Sequence, residues 1–478
     1  MTSFAAIDLG ATSGRVITGA VVDGELRLAE AARFENVPVL LPDGLHWDAL
    51  ALYSAAMRGL GRASQEDSEL RGAAIDSWAV DYGLLAGDRL LSNPFSYRDA
   101  RNDAGVAAVH ATVGPEELWR RNGLQHLPFN TVFQLAVDSL SGALDAADRV
   151  LLLPDLLGRF ATGTAVAERT NASTTGLLPV GGGGWDGGLL DRLGIARALL
   201  PELVDAGTDL GEVRPEVRDA FGLADGVRLG TVGSHDTASA VVATPLGGAG
   251  AVYISSGTWS LVGAELPEPV LSEEARRAGF TNEGGVDGRT RFLTNVTGLW
   301  LLTETVRGWE HEDRARLELG ALLRQAAEVT GDVPVFDAGD PRLLAPGDMP
   351  RRIAAVIAES GGTPPMSRPA FVRTIVQSLA DAYARAVRDL ERLTGIAATT
   401  VHVVGGGTRN TLLCQLTADA TGLPVLAGPE EATAAGNLLV QARAAGVVPG
   451  DLETLRAVVA RSFPTRAYSA RTPSRARG

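Results

Sequence analysis

Apolar residues near the start of the chain are grouped in a way that predicts three short strands. Residues 4–9, 16–22 and 25–34 are rich in apolar side chains, and an Asp-Gly pair between the last two is a hairpin signal. We therefore expect an antiparallel meander over this stretch. The first strand ends at Asp8, so the meander carries an acid at its first turn.

A second group of apolar positions lies at the middle of the chain. Leu229–Gly233 reads as a buried strand that runs into His235-Asp236-Thr237. The small apolar segment Ala238–Val242 follows directly and suits a closely packed helix. This order predicts a carboxylate, Asp236, between the end of a strand and the start of a helix.

A further strand–turn–strand pattern follows a glycine-rich joint at 247–250. Residues 251–255 and 259–264 flank Ser256-Gly257-Thr258, a turn with hydroxyl groups similar to the one after Asp8. The repetition indicates two halves of similar architecture. We place the boundary between them near 243–249, which gives an N-terminal domain of residues 1–245 with the first hydroxyl turn and its acid, and a C-terminal domain of residues 246–465 with the second hydroxyl turn.

The last third of the chain contains a long amphipathic pattern and a glycine turn. Residues 367–393 have apolar side chains at helical spacing, which is typical of a core-facing helix. Residues 400–404 predict a buried strand that leads into Gly405-Gly406-Gly407 and a helix over 412–420. Such a turn is either an anion or nucleotide site or a tight strand–helix connection. Residues 466–478 read as a frayed tail.

Composition changes the picture by exclusion. The chain has 478 residues, a formal charge of -14 and 45% hydrophobic residues, as expected for a globular protein of two or three domains. Nucleic-acid binding would need a basic surface, which this balance argues against. No apolar stretch reaches the length of a membrane span, and the N-terminus lacks the pattern of a signal peptide.

Two residue types are almost or entirely missing. The chain contains no lysine, which excludes a GxxxxGK[ST] phosphate loop and any Schiff-base mechanism. Cys414 is the one cysteine, so an intrachain disulfide and a cysteine-based metal site are excluded. We therefore expect a cytoplasmic protein.

Polar groups at turns and strand ends suggest ligand contacts, each with a plain structural alternative. Glycines and hydroxyls after Asp8 suit phosphate oxygens, although a simple hairpin has the same pattern. Trp78-Ala79-Val80-Asp81 follows a strand and suits a polyhydroxylated ligand, or a core tryptophan beside a loop aspartate. His235 either contacts a ligand or packs beside a strand end and orients its neighbour.

Together these groups match the needs of phosphoryl transfer to an alcohol. Backbone and hydroxyl donors hold the phosphates, Mg²⁺ bridges them, and one carboxylate takes the proton of the acceptor. We expect Asp8 to hold Mg²⁺, most simply through metal-bound water, and Asp236 to act as the base.

Longer motifs resemble those of the FGGY family of carbohydrate kinases over nearly the whole chain. The matching stretches are DLGATSGR, IDSWAVDYGLL, SHDTASAVVATP, YISSGTWSLVG, TNEGG, NVTGLWLL and VVGGGTRNTLLCQLTADATGLPVLAGPEEATAAGN. The resemblance implies an α/β fold of two actin-like (ribonuclease-H-like) domains, with mixed sheets flanked by helices and a catalytic cleft between them. It also implies ATP-dependent phosphorylation of L-rhamnulose at its 1-hydroxyl, in L-rhamnose catabolism.

The resemblance assigns roles by motif position. Asp236 is the expected proton acceptor, and Asp8 the expected metal ligand. The expected sugar contacts are Trp78, Ala79 (through its backbone), Asp81, His235, Asp236, Thr237 and Asn295. The expected ATP contacts are Ala11, Thr12, Ser13, Gly14, Arg15, Thr258, Thr303, Gly405, Gly406 and Asn410. Ala79 stands where such kinases often have glycine, and Thr303 where glutamine is expected.

Two other functions fit parts of the pattern. A related kinase for another ketose or polyol, such as L-fuculose or L-ribulose, would use the same phosphate turns. An ATP-driven switch of the actin or chaperone type would keep both turns but leave the Trp78–Asp81 strand end and His235 without a purpose. The expected partners are ATP, Mg²⁺ and a small sugar, with no nucleic acid, no membrane and a monomer or weak homodimer.

Overall fold

The computed structural model describes residues 2–471 and contains twenty strands and seventeen α-helices over that range. The strands are β1 (Ser3–Leu9), β2 (Ser13–Val22), β3 (Glu25–Glu35), β4 (Val39–Leu41), β5 (Gly44–His46), β6 (Leu70–Ser77), β7 (Tyr82–Ala86), β8 (Arg89–Leu90), β9 (Arg149–Leu152), β10 (Val166–Glu168), β11 (Glu202–Val204), β12 (Asp209–Glu212), β13 (Arg228–Gly230), β14 (Ala251–Ser256), β15 (Ser260–Leu266), β16 (Thr281–Gly284), β17 (Thr290–Val296), β18 (Thr400–Val404), β19 (Val425–Ala427) and β20 (Arg466–Tyr468).

The helices fill the segments between these strands. They are α1 (Ala49–Glu66), α2 (Asn102–Thr112), α3 (Pro115–Asn122), α4 (Thr131–Leu140), α5 (Leu153–Thr162), α6 (Arg169–Ala172), α7 (Gly187–Leu193), α8 (Pro215–Phe221), α9 (Asp236–Val242), α10 (Glu273–Arg277), α11 (Trp300–Asp313), α12 (Leu319–Ala327), α13 (Met349–Glu359), α14 (Arg368–Thr394), α15 (Thr411–Thr421), α16 (Ala432–Ala444) and α17 (Leu452–Ser462). No helix within residues 2–471 has the length and apolar character that crossing a membrane requires.

The chain forms two compact units, and their segments differ from the division expected from sequence. The first unit contains the described residues up to Pro245 together with Glu265–Phe292 and Ala432–Phe463. The second contains Leu246–Ala264, Leu293–Glu431 and the described residues from Pro464 onward. Two stretches assigned to the C-terminal domain thus belong to the first unit, because α16 packs on β1, β6 and α9.

The first unit is built on a six-stranded mixed sheet in the order β12-β13-β6-β1-β2-β3. The predicted meander is present, since β1 pairs antiparallel with β2 and β2 with β3, while β6 runs parallel to β1. Ala5, Ile7 and Leu9 on β1 pack in one core with residues of α1 and α5. Helix α16 contacts β1 as well, which explains why every residue of β1 is buried.

The second unit contains the strand order β15-β14-β18-β19-β20 and the 27-residue helix α14. Helix α14 begins at the N-cap Ser367 and ends before Gly395, which adopts a positive φ of 71°. Its predicted apolar stripe is buried at Phe371, Ile375, Leu379, Tyr383 and Val387. The expected α/β class, with mixed sheets flanked by helices, is confirmed.

The chain after residue 465 differs from the frayed tail expected there. Residues 466–468 form β20, which pairs antiparallel with β19. Arg471 continues this attachment, because its guanidinium donates to the carboxylate of Asp419. Residues 472–478, the remainder of the expected tail, lie outside the described residues.

Candidate active site

The turn between β1 and β2 places an acid and an arginine side by side. Asp8 and Arg15 are opposite each other in the antiparallel register, and Arg15 Nη2 donates to Asp8 Oδ2 at 2.7 Å. The turn closes through a hydrogen bond from Gly10 N to Ser13 O, and Thr12 at its tip is exposed. The hydroxyl of Thr12 is therefore accessible, while one oxygen of Asp8 is already engaged.

A second carboxylate, which sequence reasoning did not single out, lies next to Asp8. Strand β6 runs parallel to β1 with Asp76 opposite Asp8. Asp76 is fully buried, and Asn437 on α16 donates to its Oδ2 at 2.5 Å. Burial raises the pKa of Asp76 well above its usual range, and the nearby carboxyl groups of Asp8 and Asp236 raise it further. The signal in the sequence was an acid near the end of the strand that precedes Trp78.

Asp236 begins helix α9 immediately after an extended segment that follows β13. Ser77 N donates to Ser234 O at 2.9 Å, which extends the sheet by one bridge to the segment before the helix. Thr237 Oγ1 donates to Asp236 Oδ1 at 3.1 Å, and the Asp236 side chain keeps 31% of its surface exposed. Burial of the carboxyl raises the pKa of Asp236, an effect that His235 opposes and Asp8 reinforces.

A buried glutamate fixes the segment that precedes Asp236. Both the backbone N–H and the hydroxyl of Ser234 donate to Glu168 Oε2, at 3.0 and 2.9 Å. The same oxygen accepts the hydroxyl of Thr170 at 2.6 Å. Because Glu168 is fully buried, water does not compete for these hydrogen bonds. They hold the segment that leads to Asp236 in place. No motif in the sequence around Glu168 predicted this role.

His235 faces Asp236 on one side and a buried ion pair on the other. Its Nε2 lies 3.5 Å from Asp236 Oδ1, and Arg291 Nη2 donates to its Nδ1 at 3.0 Å. Glu283 Oε2 lies 3.1 Å from Arg291 Nη2. Burial alone would raise the pKa of Glu283, but the guanidinium of Arg291 holds it below its usual value. Glu283 and Arg291 were not predicted as site residues, although Glu283 belongs to the TNEGG motif.

Asp81, the acid in the segment Trp78–Asp81, is buried and hydrogen-bonded to protein groups. Asp81 Oδ2 accepts hydrogen bonds from Trp47 Nε1 at 2.6 Å, Trp78 Nε1 at 2.9 Å and Tyr97 N at 3.2 Å, and Oδ1 accepts from Gln134 at 2.9 Å. Only 1% of Asp81 is exposed, and burial raises its pKa to about 6. The carboxylate accepts hydrogen bonds from four protein donors, and a direct sugar contact by Asp81 stays a prediction.

The backbone beside Asp81 is strained at Val80. Val80 has a positive φ of 70°, which is rare for a β-branched residue. Asp81 N donates to Ala79 O at 3.0 Å across it, as in a γ-turn. Thr131 Oγ1 holds the Val80 carbonyl at 2.7 Å. The turn fixes the orientation of the backbone of Ala79, the group expected to contact the sugar.

In the second unit, the turn between β14 and β15 supports the start of α11. Leu299 N and Trp300 N donate to the carbonyls of Gly257 and Thr258, at 3.0 and 3.1 Å. Gly298 leaves no space for a side chain, because a Cβ there would meet Ser260 Oγ at 2.5 Å. A hydroxyl turn beside the N-terminus of a 14-residue helix is a favourable place for an anion.

The glycine turn after β18 is also in the second unit. Gly405 has a positive φ of 81°, and a Cβ on Gly407 would overlap the side chain of Ser256. Asn410 Oδ1 caps α15 by accepting from Leu413 N at 3.0 Å. Asn410 Nδ2 is buried and has no hydrogen-bond partner in the described structure.

The remaining predicted residues of this unit lie at three separate places. Asn295 is half-buried on β17, and Thr303 is exposed on α11. Gly406 is exposed at the glycine turn. The structure thus groups the predicted residues by unit, and the first unit holds Asp8, Ala11, Thr12, Ser13, Gly14, Arg15, Trp78, Ala79, Asp81, His235, Asp236 and Thr237. The second holds Thr258, Asn295, Thr303, Gly405, Gly406 and Asn410.

The side chains that could hold a cation in the site are its carboxylates. Within the described chain, no group of three or more His, Cys, Asp or Glu side chains is arranged to hold a metal. Asp8 has one oxygen bonded to Arg15, which leaves Oδ1 for a cation. A single carboxylate supplemented by water and phosphate oxygens suits Mg²⁺, which keeps several waters when bound. The residues fit Mg²⁺ held jointly with a phosphate ligand.

Comparison with known sequences gives matches along almost the whole chain. Residues 4–243 match the model of the N-terminal domain of the FGGY family of carbohydrate kinases, and residues 252–445 match that of its C-terminal domain. The chain is 40% identical over 472 residues to a rhamnulokinase of Enterococcus faecalis, covering 98% of this chain and 94% of that protein. It is 36% identical over 468 residues to a rhamnulokinase of Bacillus subtilis, covering 98% and 95%.

Solved structures give a similar fold at lower sequence identity. A xylulose kinase of Lactobacillus acidophilus, solved with bound ligand, superposes with a TM-score of 0.78 at 14% identity over 98% of this chain and 94% of that one. A glycerol kinase of Plasmodium falciparum, solved with ADP, gives a TM-score of 0.77 at 15% identity, with coverage of 98% and 94%. At these identities the similarity concerns the fold.

Proposed function

The chain belongs to the FGGY family of carbohydrate kinases, and from this premise we propose that it transfers the γ-phosphoryl group of ATP to the 1-hydroxyl of L-rhamnulose. Identity of 36–40% to rhamnulokinases across 98% of the chain supports this choice of sugar. The observation that supports the reaction is the Asp236 carboxylate, which is partly exposed at the start of α9 and fixed on one oxygen by Thr237.

Asp236 acts as the general base in this proposal. The hydroxyl of Thr237 occupies Oδ1. Oδ2 takes the proton of the sugar hydroxyl while the sugar oxygen bonds to the γ-phosphorus and the bond from phosphorus to the ADP oxygen breaks. Because burial raises the pKa of Asp236 above that of a free aspartate, its carboxylate is a stronger base than a free aspartate.

Each unit by itself offers backbone and hydroxyl groups that suit phosphate oxygens. In the first unit, residues 11–15 offer the hydroxyls of Thr12 and Ser13 and the guanidinium of Arg15. In the second, Thr258 and the turn at 405–410 offer further donors, including the unpartnered Nδ2 of Asn410. Asp8 holds Mg²⁺, which, when bound, neutralises charge on the phosphates.

The sugar contacts are the groups at the strand ends. Trp78, the backbone of Ala79, His235 and Thr237 contact the sugar, joined by Asn295. Asp81 supports these contacts. It accepts four hydrogen bonds from the protein, and these hold Trp78 and the loop that carries Ala79 in place. The side chain of Ala79 narrows the site relative to a glycine. We also propose a cytoplasmic location and a monomer or weak homodimer, the former in keeping with the buried, unpaired Cys414.

The test is sugar-dependent release of ADP with Mg-ATP. The sugar panel contains L-rhamnulose, L-fuculose, L-ribulose, D-xylulose and glycerol, with a control that lacks sugar. The proposal predicts the highest kcat/KM with L-rhamnulose. Preference for another ketose would retain the kinase reaction and contradict the proposed substrate. ADP release that no sugar changes would instead favour an ATP-driven switch.

A further inference from the structure

The ion pair behind His235 is unusually deep. Arg291 on β17 has a fully buried side chain, and Glu283 on β16 is 8% exposed. Arg291 Nε donates to Gly284 O at 2.9 Å, which fixes the plane of the guanidinium. Burying two charges costs free energy that a simple apolar contact would not, so the pair is a candidate for a role beyond stability.

Hydrogen-bond chemistry determines which nitrogen of His235 carries the proton. A guanidinium can only donate, so the nitrogen that Arg291 Nη2 contacts at 3.0 Å must accept and cannot carry a hydrogen. That nitrogen is Nδ1, and a neutral imidazole then has its hydrogen on Nε2. Nε2 is the atom that faces Asp236 Oδ1 at 3.5 Å.

Considered alone, Glu283 would favour the other tautomer of His235, with the proton on Nδ1. Its Oε2 lies 3.3 Å from His235 Nδ1, and a carboxylate there would attract a proton onto that nitrogen. Arg291 Nη2 lies 3.0 Å from Nδ1, to which it donates, and 3.1 Å from Oε2, which accepts no hydrogen bond in the described structure. The arginine therefore decides the tautomer, and the glutamate balances its buried charge.

We propose that Arg291 and Glu283 are positioning residues that hold His235 as the neutral Nε2–H tautomer, so that the ring presents an N–H to the catalytic base Asp236. The inference deepens the proposed function and rests on it for the role of Asp236. The N–H at Nε2 and the hydroxyl of Thr237 together occupy the Oδ1 side of the carboxylate. Oδ2 is thereby directed to the acceptor hydroxyl.

The alternative arrangement is a doubly protonated ring that bridges two carboxylates. An imidazolium would donate from Nδ1 to Glu283 and from Nε2 to Asp236. The hydrogen on Nδ1 would then point toward the N–H groups of Arg291, which is a donor facing a donor. The two arrangements differ at one atom, the protonation of Nδ1, and this can be measured directly.

The first experiment is ¹⁵N NMR of the histidine side chains in the full-length protein at neutral pH without ligands. The His235 signals are assigned by their loss in His235→Asn. We expect a bare Nδ1 and a protonated Nε2 in the unchanged protein. Two protonated nitrogens on His235, or a protonated Nδ1 alone, would overturn the proposal.

Two variants separate the effects of the arginine and the glutamate. In Arg291→Met, Glu283 is left beside Nδ1, and we expect the proton to move to Nδ1. In Glu283→Gln, Arg291 still donates to Nδ1, and we expect the Nε2–H tautomer to persist. An unchanged His235 spectrum in Arg291→Met would contradict the inference. If that variant does not fold, Arg291→Met/Glu283→Gln removes both charges together, and we then expect the two tautomers to be mixed.

The matched control is the buried pair of Arg456 and Glu265, at 3.0 Å, in which both side chains are less than one-tenth exposed. Arg456→Met should destabilise the protein similarly and leave the His235 spectrum unchanged. A merely structural role for Arg291 would make the two variants alike in both respects.

Kinetics with Mg-ATP and the best sugar of the panel complete the test. We expect Arg291→Met to lower kcat by about tenfold or more, the scale of a misdirected catalytic group, with the KM for ATP within about twofold. Equal loss in Arg456→Met would contradict the proposal. If the unchanged protein phosphorylates no sugar, the proposed function fails, whereas the NMR result on His235 still stands or falls by itself.

Discussion

The hairpin β1–β2 in the first unit and the hairpin β14–β15 in the second have the same topology and different chemistry. In each, two antiparallel strands are joined by a short turn, and a third strand runs parallel to the first, β6 in one unit and β18 in the other. Residue Asp8 at the end of β1 pairs with Asp76. At the corresponding end of β14, Ser255 pairs with Val404.

The difference shows how one architecture serves two tasks. The first unit places carboxylates at its strand ends, where a cation and a proton can be held. The second places serines and the glycine turn at 405–407 there, where the backbone can approach a ligand closely. The fold therefore supplies positions, and the residues at those positions determine the chemistry.

The largest expected effect comes from removing the base of the first unit. Asp236→Asn keeps the size of the side chain but cannot accept the proton, so kcat should fall by about a thousandfold. ATP affinity, measured by calorimetry, should change by less than about twofold, because the nucleotide is held elsewhere. Asp219→Asn on the exposed face of α8 is the control and should match the unchanged protein. Unchanged turnover in Asp236→Asn would remove the assigned base.

The next effect is on stability rather than turnover. Asp81 has a pKa of about 6 in the folded protein, against a usual value of 3.8. Its protonated form is favoured by folding, so this stabilisation is complete below pH 3.8 and is lost as the pH rises through 6. At 1.36 kcal/mol for each pH unit between the two pKa values, the free energy of unfolding falls by roughly 3 kcal/mol.

Asp81→Asn removes this titration. We expect the difference in free energy of unfolding between the unchanged protein and Asp81→Asn to shrink between pH 4 and pH 6.5. Urea unfolding at several pH values measures it, with Asp219→Asn as an exposed control. Parallel pH profiles for both proteins would show that Asp81 is not a buried titrating group.

A smaller effect tests the second unit. Gly407→Ala places a Cβ where the Ser256 side chain lies, whereas Gly406→Ala meets no atom within 4 Å. We expect Gly407→Ala to raise the KM for ATP about tenfold, equivalent to 1.4 kcal/mol, with Gly406→Ala within about twofold. Equal effects of the two neighbouring substitutions would argue against close backbone packing as the basis of the nucleotide turn.

The smallest effect concerns the exposed hydroxyl of the first turn. Thr12→Val should raise the KM for ATP about threefold, near the lower end of the contribution of one hydrogen bond. Thr18→Val on β2, whose hydroxyl donates to Ala29 O at 3.3 Å, serves as the control outside the turn. No change in the KM for Thr12→Val would show that the backbone alone holds the phosphates at this turn.

Local pattern was sufficient for the elements that carry the site. The strand ending at Asp8, the helix after His235 and the buried stripe of α14 follow from apolar spacing and turn residues. The resemblance in motifs added the α/β class and the family, both of which are now established.

Long-range partners could not be predicted because they depend on which distant residues pack together. Asp76 meets Asn437 across 361 positions, and Arg291 meets His235 across 56. The same reason explains why residues 432–463 fold with the first unit, since α16 is placed by contacts with β1 and not by its neighbours in sequence. The four donors to Asp81 could not be predicted either, since Trp47, Tyr97 and Gln134 are distant in the sequence.

The most direct measurement of the central claim is the structure of the product formed from L-rhamnulose and Mg-ATP, determined by ³¹P–¹H correlation NMR. The account predicts a phosphate ester at the 1-oxygen of the sugar, formed together with ADP and absent when Asp236→Asn is used at the same concentration. Release of inorganic phosphate without any sugar phosphate would contradict it.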